Sequence, residues 1–463
     1  MRNLNKTQTL STIQKHLSDN KYTSLTVKVQ KLQNIFKGDR IIWIIFFLLC
    51  IISVLEVYSS SSSLGYKSGN YWIAAIQHTT YLCLGIGVMV FVLNIPCRYF
   101  KLCTPILCII APILLLWVLL FGAKTNDAAR WISFFGIPLQ PSEIAKGTLV
   151  LLTAHILSQL QTPEGAHPKA FKYIVLTSLF FMGLVVTENF STAALMGATV
   201  FCMMIIGRVP WKQIGYLCSA VAILLVLAVS TIYFVGQDSN QIASNKAAEA
   251  KQLTESVEAS DKQLTETISP GQVKKEPATT NKRKGVLHRL DLWKQRIDNF
   301  LNSERVDPHK YDLDKNSQVG HANIAIASSQ FIGKGPGNSE QRDFLPLAFS
   351  DFIYAIIFEE LGWLGAAFVA LLYISLLFRT GQIARRCTNT FPAFLAMGLA
   401  LLIVIQALFN MMVAVGLAPV TGQPLPLISK GGTSSIINCI YIGVILSISR
   451  TAKKRDDVKL EMA

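Results

Sequence analysis

One polar cluster combines the signals of a helix start with a possible ion pair. Gln-Pro-Ser-Glu at 140–143 is followed by Lys146. Pro and Ser favour the first turn of a helix, and an acidic side chain there interacts favourably with the helix dipole. Glu143 and Lys146 are three residues apart and therefore share one helix face, where they can neutralise each other. A structural ion pair and a functional pair both fit this spacing.

Asp351 is a candidate general base. Ser350 precedes it, and the apolar stretch Phe-Ile-Tyr-Ala follows at 352–355. A carboxylate at the boundary between a polar loop and an apolar segment can be partly desolvated and still accessible, which suits a base. A helix N-cap is the competing interpretation, and position alone favours it.

The segment 419–435 is rich in glycine, proline and serine and contains Lys430 and Ser434. Its backbone amides, hydroxyls and ammonium group suit an anion at a helix N-terminus. The alternative is a tight re-entrant turn that needs small residues. Two further candidate clusters are the pair Arg130-Trp131 and the turn 187–192.

A glycine-rich stretch follows Gln318. Residues 333–339 read Gly-Lys-Gly-Pro-Gly-Asn-Ser and end at Ser339. A phosphate-binding loop needs Gly-Lys-Ser/Thr after a strand, and a dinucleotide site needs its own strand and helix context. The stretch has neither, so we predict a turn-rich surface loop.

The amino-acid composition indicates which class of protein contains these candidate residues. Of the 463 residues, 51% are hydrophobic and 15% are charged, and the mean hydropathy is +0.41. Soluble domains carry about 25% charged residues. A soluble enzyme, a disordered protein and a small disulfide scaffold are therefore excluded, and the nine cysteines show no disulfide or metal-binding spacing. We predict an all-α integral membrane protein.

Ten stretches are apolar and long enough to cross a membrane as helices of about 20 residues. They lie near 41–60, 72–94, 102–121, 142–160, 171–187, 190–207, 213–235, 351–378, 391–415 and 431–449. The fourth is interrupted by polar residues. The polar arm 1–39 has no cleavage site after it, so no signal peptide is predicted.

The distribution of Lys and Arg predicts that both termini are cytoplasmic. Basic residues cluster in the N-terminal arm, in alternate short loops and in the tail, as the positive-inside rule requires. The net charge of +15 is mostly this signature, so nucleic acid is not an expected partner. The predicted parts are an arm (1–39), helices 1–7 (40–236), a long extracytoplasmic loop (237–350), helices 8–10 (351–449) and a tail (450–463).

Within the long loop, two segments differ in composition. Residues 237–284 are rich in Ser, Thr, Gln, Glu and Lys and nearly lack aromatic residues, which predicts a disordered insertion. Residues 286–297 place Leu, Trp and Ile at helical spacing among basic residues. That pattern suits a helix on the outer membrane surface, or a helix packed on the rest of the loop.

Taken in order, these motifs closely resemble the SEDS (shape, elongation, division, sporulation) family of bacterial membrane glycosyltransferases. The motifs are Arg-Trp, Gln-Pro-Ser-Glu-x-x-Lys, Gly-x-Gly-x-Gly-Asn-Ser, Ser-Asp-Phe-Ile-Tyr-Ala with Glu-Glu-Leu-Gly, and the segment 419–435. The resemblance covers roughly 40–450. The ending Gly-Gly-Thr-Ser-Ser is more similar to the division branch than to the elongation branch.

The resemblance implies polymerisation of lipid II into glycan strands on the outer face of the bacterial cytoplasmic membrane, at the division septum. It implies Asp351 as the catalytic residue. Lipid II and the undecaprenyl-diphosphate-linked glycan are the implied substrates, and a class B penicillin-binding transpeptidase is the implied partner. No cofactor is certain, although a divalent cation (Mg or Mn) could share the work of charge stabilisation. The expected substrate-binding residues are Arg130, Glu143, Lys146, Gln318, Ser339, Lys430 and Ser434.

This chain departs from the family pattern at several positions. Glu188-Asn189-Phe190-Ser191 stands where Pro-Asp-Leu-Gly is common, Leu347 and Phe349 replace Glu and His, and Lys430 replaces an aromatic residue. The rival functions are a lipid II flippase, an elongation-type polymerase and a non-catalytic scaffold for division proteins. For a transpeptidase contact, Ala396 and Ala400 have the small-xxx-small spacing of a helix-binding face. The alternative is that these residues pack within the chain.

Deleting residues 237–284 is expected to leave lipid II polymerisation by the purified protein intact. The composition predicts disorder, and the closure entropy of a loop changes by only about 0.6 kcal/mol per doubling of its length. Polymer length and yield from fluorescent lipid II on a gel are the measurement. Loss of polymer in the deletion variant would show that the segment belongs to the active site.

Overall fold

The computed structural model describes residues 37–60, 72–121, 123–125, 128–134, 137–186, 188–235, 294, 297, 317–345 and 350–461. It is nearly all helical, which confirms the predicted class. The helices are α1 (Arg40–Ser60), α2 (Trp72–Leu93), α3 (Cys97–Phe121), α4 (Pro141–Gln159), α5 (Pro168–Val186), α6 (Phe190–Ile206), α7 (Trp211–Val235), α8 (Ser317–Ala327), α9 (Ile353–Arg386), α10 (Thr390–Ala414) and α11 (Thr433–Glu461).

Each of the ten predicted spans coincides with one of these helices. In the described residues, eight helices are long and apolar enough to cross a membrane by length and composition. The other two are α6, an apolar helix of 17 residues, and α4, which carries Glu143 and Lys146. That all ten helices cross the membrane remains a prediction. The predicted disordered insertion and almost all of the predicted helix at 286–297 lie outside the described residues.

In the described residues, five short strands interrupt the expected all-α pattern. Strands β1 (Ala123–Thr125), β2 (Ala128–Phe134) and β3 (Ile137–Leu139) form an antiparallel sheet between α3 and α4. A second pair, β4 (Gln161–Thr162) and β5 (Gly165–Ala166), lies between α4 and α5. A hydropathy pattern does not detect such strands, because they are short and form through pairing of backbone N–H and C=O groups.

The described residues belong to two compact units. The larger comprises Met1–Pro210, Ser317–Gly416 and Thr421–Ala463, and the smaller comprises Trp211–Asn316 and Leu417–Val420. Of the helices α1 to α11, the larger unit contains all but α7. All the candidate site residues also belong to it.

Helix α10 occupies the interior of the larger unit. It packs against α4, α6, α9 and α11, and 67% of an 18-residue apolar stretch of this helix is buried. Ala396 and Ala400 are both 0% exposed. The prediction that they form a lipid-facing surface for a transpeptidase is therefore wrong, because the small side chains allow close packing within this chain.

Three chain segments that were predicted to share the cytoplasmic side meet at one end of the bundle. Arg379, near the end of α9, bonds to Asp39 at the start of α1, with Nη2 2.7 Å from Oδ2. The Asp39 backbone N–H donates to Ser449 Oγ of α11 at 2.9 Å. Asp39 Oδ1 also accepts from the first N–H groups of α1, at Ile41 and Ile42.

Helix α9 is broken at Gly362, whose φ of 71° lies in the left-handed region. The loop before it compensates for the break. Lys334 N–H donates to the Glu359 carbonyl at 2.9 Å, and Gly335 N–H donates to the Glu360 carbonyl at 2.8 Å. On the other side of the break, Trp363 and Leu364 donate to loop carbonyls. Irregular backbone in a membrane protein requires such partners.

Gly362→Ala is expected to destabilise the protein strongly. A Cβ there would lie 2.4 Å from the Gly333 nitrogen, and the positive φ adds strain of about 1–3 kcal/mol. The measurement is the melting temperature and the monodisperse fraction in detergent.

Gly183→Ala in α5 is the matched control, because nothing lies within 4 Å of a Cβ built there. That variant should melt at or above the temperature of the unmodified protein, since Ala favours a helix by up to about 1 kcal/mol over Gly. Equal melting temperatures for the two variants would contradict the expected close contact at Gly362.

Candidate functional site

The sequence Gln140-Pro141-Ser142-Glu143 starts helix α4 as predicted. Gln140 is the extended N-cap residue and Pro141 follows in the first turn. Glu143 Oε1 lies 2.8 Å from Lys146 Nζ, and the two side chains are 3% and 1% exposed. Lys146 Nζ also donates to Gln406 Oε1 of α10 at 2.7 Å. The predicted ion pair is therefore present, buried and shared with a third polar side chain.

Helix α10 links this pair to the glycine- and proline-rich segment. Gln406 Nε2 donates to the Pro424 carbonyl at 3.0 Å. One turn later, Asn410 Nδ2 donates to the Gln423 carbonyl at 2.7 Å and to the Asp351 carbonyl at 2.8 Å. Two amides on one face of a buried helix therefore hold both the segment and the backbone of the candidate base.

Asp351 does not cap helix α9. The N-cap residue is Phe352, whose side chain makes no capping hydrogen bond. The capping interpretation is therefore wrong, because the helix begins two residues after Asp351. The Asp351 carboxylate is half-buried and its Oδ1 accepts from Ser350 Oγ at 2.8 Å. Gly422 lies beside it: a Cβ built there would be 3.5 Å from Asp351 Oδ2.

The part of segment 419–435 that lies in the larger unit, from Thr421 onward, is mostly buried within the bundle. Ser429 Oγ donates to the Ser350 carbonyl at 2.6 Å, and Ser53 Oγ of α1 donates to the Ile428 carbonyl at 2.8 Å. Thr433 Oγ1, at the start of α11, donates to the Pro138 carbonyl at 2.7 Å. These contacts support the tight-turn interpretation.

Lys430 and Ser434 differ in accessibility. Ser434 is buried next to the start of α11, and its backbone N–H donates to the Gly431 carbonyl. Lys430 is half-buried, and burial lowers the pKa of its ammonium group. A partly desolvated ammonium interacts more strongly with an anion than an exposed one does. Lys430 is therefore the better candidate of the two for an anionic group.

Residues 328–342, which contain the glycine-rich stretch 333–339, form a loop that we call the glycine loop. It binds the carboxylates of Glu359 and Glu360, a contact that the sequence did not predict. Glu359 Oε2 accepts from Ser339 Oγ at 2.5 Å, and Glu359 Oε1 lies 2.9 Å from Lys334 Nζ. The Glu340 and Gln341 N–H groups also donate to Glu359. This hydrogen-bonded contact with Glu359 raises the pKa of Lys334. The predicted surface loop thus surrounds the Glu359 carboxylate, and Ser339 is one of its hydrogen-bond donors.

Glu360 is held from a second direction. It accepts from Ser59 Oγ of α1 and from the Gly337 N–H, the latter at 3.1 Å. Arg342 Nη1 donates to Ser59 Oγ at 3.1 Å and to the Gly337 carbonyl at 2.7 Å. The only signal in the sequence was the position of Glu-Glu-Leu-Gly inside an apolar span, where charged groups need partners.

The remaining candidates lie in separate elements. Gln318 is half-buried in the first turn of α8, and α8 is tied to the loop by His321 Nδ1, 2.8 Å from Gln341 Oε1. The backbone of Arg130 lies in β2. Asn189 caps α6 through its side chain. That capping role explains part of the cluster 187–192.

A divalent cation stays a prediction. In the part of the chain that the structure describes, no group of three or more His, Cys, Asp or Glu side chains converges on a potential metal position. We therefore assign no ligands and derive no step through a metal.

These features define a class: a multi-pass membrane protein in which one end of a helical bundle presents a half-buried carboxylate beside a buried glycine- and proline-rich segment. The chain belongs to the cell cycle protein family of FtsW, RodA and SpoVE, whose model matches residues 39–253 and 285–454. The unmatched residues between these ranges lie within the segment that the sequence predicts to be an insertion.

Curated relatives cover most of this chain. A probable peptidoglycan glycosyltransferase FtsW of Halomonas elongata is 28% identical over 420 residues, which is 88% of this chain and 90% of that protein. A probable peptidoglycan glycosyltransferase FtsW of Geobacter metallireducens is 27% identical over 431 residues, which is 91% of this chain and 97% of that protein. The peptidoglycan glycosyltransferase MrdB of Escherichia coli K12 is 28% identical over 372 residues, 79% of this chain and 83% of that protein.

Two solved structures share the fold. One is a chain of a peptidoglycan synthase complex that coordinates polymerisation and crosslinking, with a TM-score of 0.62 and 21% identity. The match covers 90% of this chain and 99% of that chain. The other is the rod shape determining protein RodA of Thermus thermophilus, with a TM-score of 0.57, 18% identity, and coverage of 90% and 98%.

Neutralising Glu143 or Lys146 alone is expected to lower both expression and activity. Each single change leaves its partner charged, buried and unpaired, which costs about 3–5 kcal/mol. Glu143→Gln with Lys146→Met should regain part of the expression. The measurements are membrane abundance and melting temperature of the three variants.

Glu164→Gln is the control for expression, because this carboxylate is exposed. It should behave as the unmodified protein does. If the effects of the two single changes at 143 and 146 simply add in the double variant, the pair is not energetically coupled.

Proposed function

We propose that this chain is a peptidoglycan glycosyltransferase that polymerises lipid II on the outer face of the cytoplasmic membrane. The names of its curated relatives support the activity. The observation that carries the proposal is the Asp351 site. The carbonyl of this residue is fixed by Asn410, while its carboxylate remains half-buried beside the backbone of Gly422.

The reaction needs a base and a stabilised leaving group. A sugar hydroxyl of one lipid II attacks the anomeric carbon of the growing chain, and the bond from that carbon to undecaprenyl diphosphate breaks. Asp351 accepts the hydroxyl proton in this step. The departing diphosphate carries the electron pair of the broken bond, so preorganised positive charge near it lowers the barrier.

We assign the candidate cations different roles according to their burial and contacts. Lys146 is 1% exposed and already bonded to Glu143 and Gln406, so we assign it to positioning. Lys430 is half-buried in the outer segment, and we assign it to the departing diphosphate. Arg130 remains a candidate for the same charge from β2.

We further propose that the chain acts in the division branch, at the septum, beside a class B penicillin-binding transpeptidase. FtsW-named relatives and the ending Gly-Gly-Thr-Ser-Ser support the branch. The structural neighbour in a complex that couples polymerisation to crosslinking supports the partner. Since Ala396 and Ala400 are buried within this chain, the partner must contact other residues.

Asp351→Asn is expected to reduce polymer formation from fluorescent lipid II by at least about 100-fold, because a general base contributes about 10²- to 10⁴-fold. The melting temperature should change little, since the Asn410 bond goes to the backbone carbonyl and is kept. Polymer on a gel is the measurement, with the purified protein and its partner present.

Asp343→Asn is the matched control. This carboxylate lies eight residues earlier and its side chain is 43% exposed, so polymerisation should be unchanged. Normal polymerisation by Asp351→Asn would remove this residue as the base. Transport of lipid II between leaflets without polymer, by the unmodified protein, would favour the flippase, a role for which the broken helix α9 is suited.

A further inference from the structure

The end of the bundle opposite to Asp351 contains a cavity of about 430 Å³. It lies where the start of α1 meets the last turns of α9 and a late turn of α11. Three arginines line it: Arg40, Arg379 and Arg386. Its volume falls within the range of about 300–1,000 Å³ that is typical of small-molecule sites.

Arg379 organises the cavity. Its Nε and Nη2 donate to the Asp39 carboxylate at 2.7–3.1 Å, and Nη1 donates to Gln382 Oε1 at 2.6 Å. Asp39 in turn accepts from the first turn of α1 and donates its N–H to Ser449. The charge of Arg379 is thus neutralised within the chain, and its geometry fixes three helices around the cavity.

Arg40 and Arg386 give the lining its net positive charge. Among the described residues that line the cavity, Asp39 is the only acidic one, and its carboxylate bonds to Arg379. Both remaining arginines are exposed at the rim. Guanidinium groups match the oxygens of a phosphate in a bidentate geometry and are weakly hydrated, so this pair suits a phosphate group.

The cavity also borders an apolar, exposed helix face. Ile41, which lines it, is 43% exposed, and Ile44, three residues along the same face of α1, is 58% exposed. In a membrane protein such side chains face the acyl chains. A ligand that places an anion in the cavity and hydrocarbon along α1 therefore fits both parts.

We propose that this cavity binds the headgroup phosphate of an anionic phospholipid of the cytoplasmic leaflet. Arg40 and Arg386 contact the phosphate oxygens, and an acyl chain lies along Ile41 and Ile44. The basic loops place this end of the bundle on the cytoplasmic side, and basic pockets between spanning helices on that side are suited to anionic lipid headgroups.

The test uses the full-length protein, purified in detergent and stripped of lipid. Native mass spectrometry and melting temperature are measured with added phosphatidylglycerol, phosphatidylcholine or inorganic phosphate. Phosphatidylglycerol should bind and raise the melting temperature, whereas the same concentrations of the other two should not. In Arg40→Gln with Arg386→Gln, phosphatidylglycerol should bind about 10- to 30-fold more weakly.

Lys169→Gln with Lys172→Gln is the control, because it removes two exposed basic residues at the start of α5, outside the cavity. Its lipid binding should equal that of the unmodified protein. Arg386→Gln alone changes an exposed side chain and serves if the double variant does not fold. Equal binding of both phospholipids, equal binding of inorganic phosphate, or unchanged binding in the Arg386 variant would each overturn the proposal.

Discussion

The ammonium group of Lys146 is the constraint on which the interior of this bundle depends. A charge at membrane depth is tolerated only when it is paired and its hydrogen bonds are satisfied. Glu143 supplies the pairing and Gln406 supplies the second acceptor. Gln406 can accept this hydrogen bond only if α10 packs directly against α4. The buried ion pair therefore requires α10 to lie next to α4 inside the bundle. The same helix then carries Asn410, one turn away, to the backbone of Asp351.

The same requirement, that polar groups at membrane depth have hydrogen-bond partners, determines the structure at the outer end of α9. The left-handed residue Gly362 breaks the helix, which frees backbone groups that a membrane cannot hydrate. The glycine loop supplies their partners, and its side chains and amides also satisfy Glu359 and Glu360. The catalytic candidate is thereby separated from the structural carboxylates. Glu359 and Glu360 are 0% exposed and fully engaged, whereas Asp351 is half-buried and anchored through its carbonyl.

What the sequence predicts well is what depends on neighbouring residues. Hydropathy located ten helices, the Pro-Ser-Glu signal located the start of α4, and i,i+3 spacing predicted the Glu143–Lys146 pair. The partners of these groups come from far along the chain: Gln406 is 260 residues from Lys146, and Ser59 is 301 residues from Glu360. No local pattern encodes such contacts. Small residues were also ambiguous, since Ala396 and Ala400 suit packing inside a chain as well as packing between chains.

Helices α1 and α9 are joined at both ends, and this limits what an inner lipid could do. Asp39 and Arg379 join them at one end, and Ser59 and Glu360 join them at the other. A ligand at the inner end can change the outer site only if the helix pair has two arrangements that the ligand distinguishes. The break at Gly362 lies between the Arg379 bond and Asp351, and backbone groups on both sides of it bond to the loop. A displacement of the inner part of α9 would therefore reach the loop before it reached Asp351. We accordingly expect an anionic lipid to act on the stability of the bundle and to leave the rate of the chemical step unchanged.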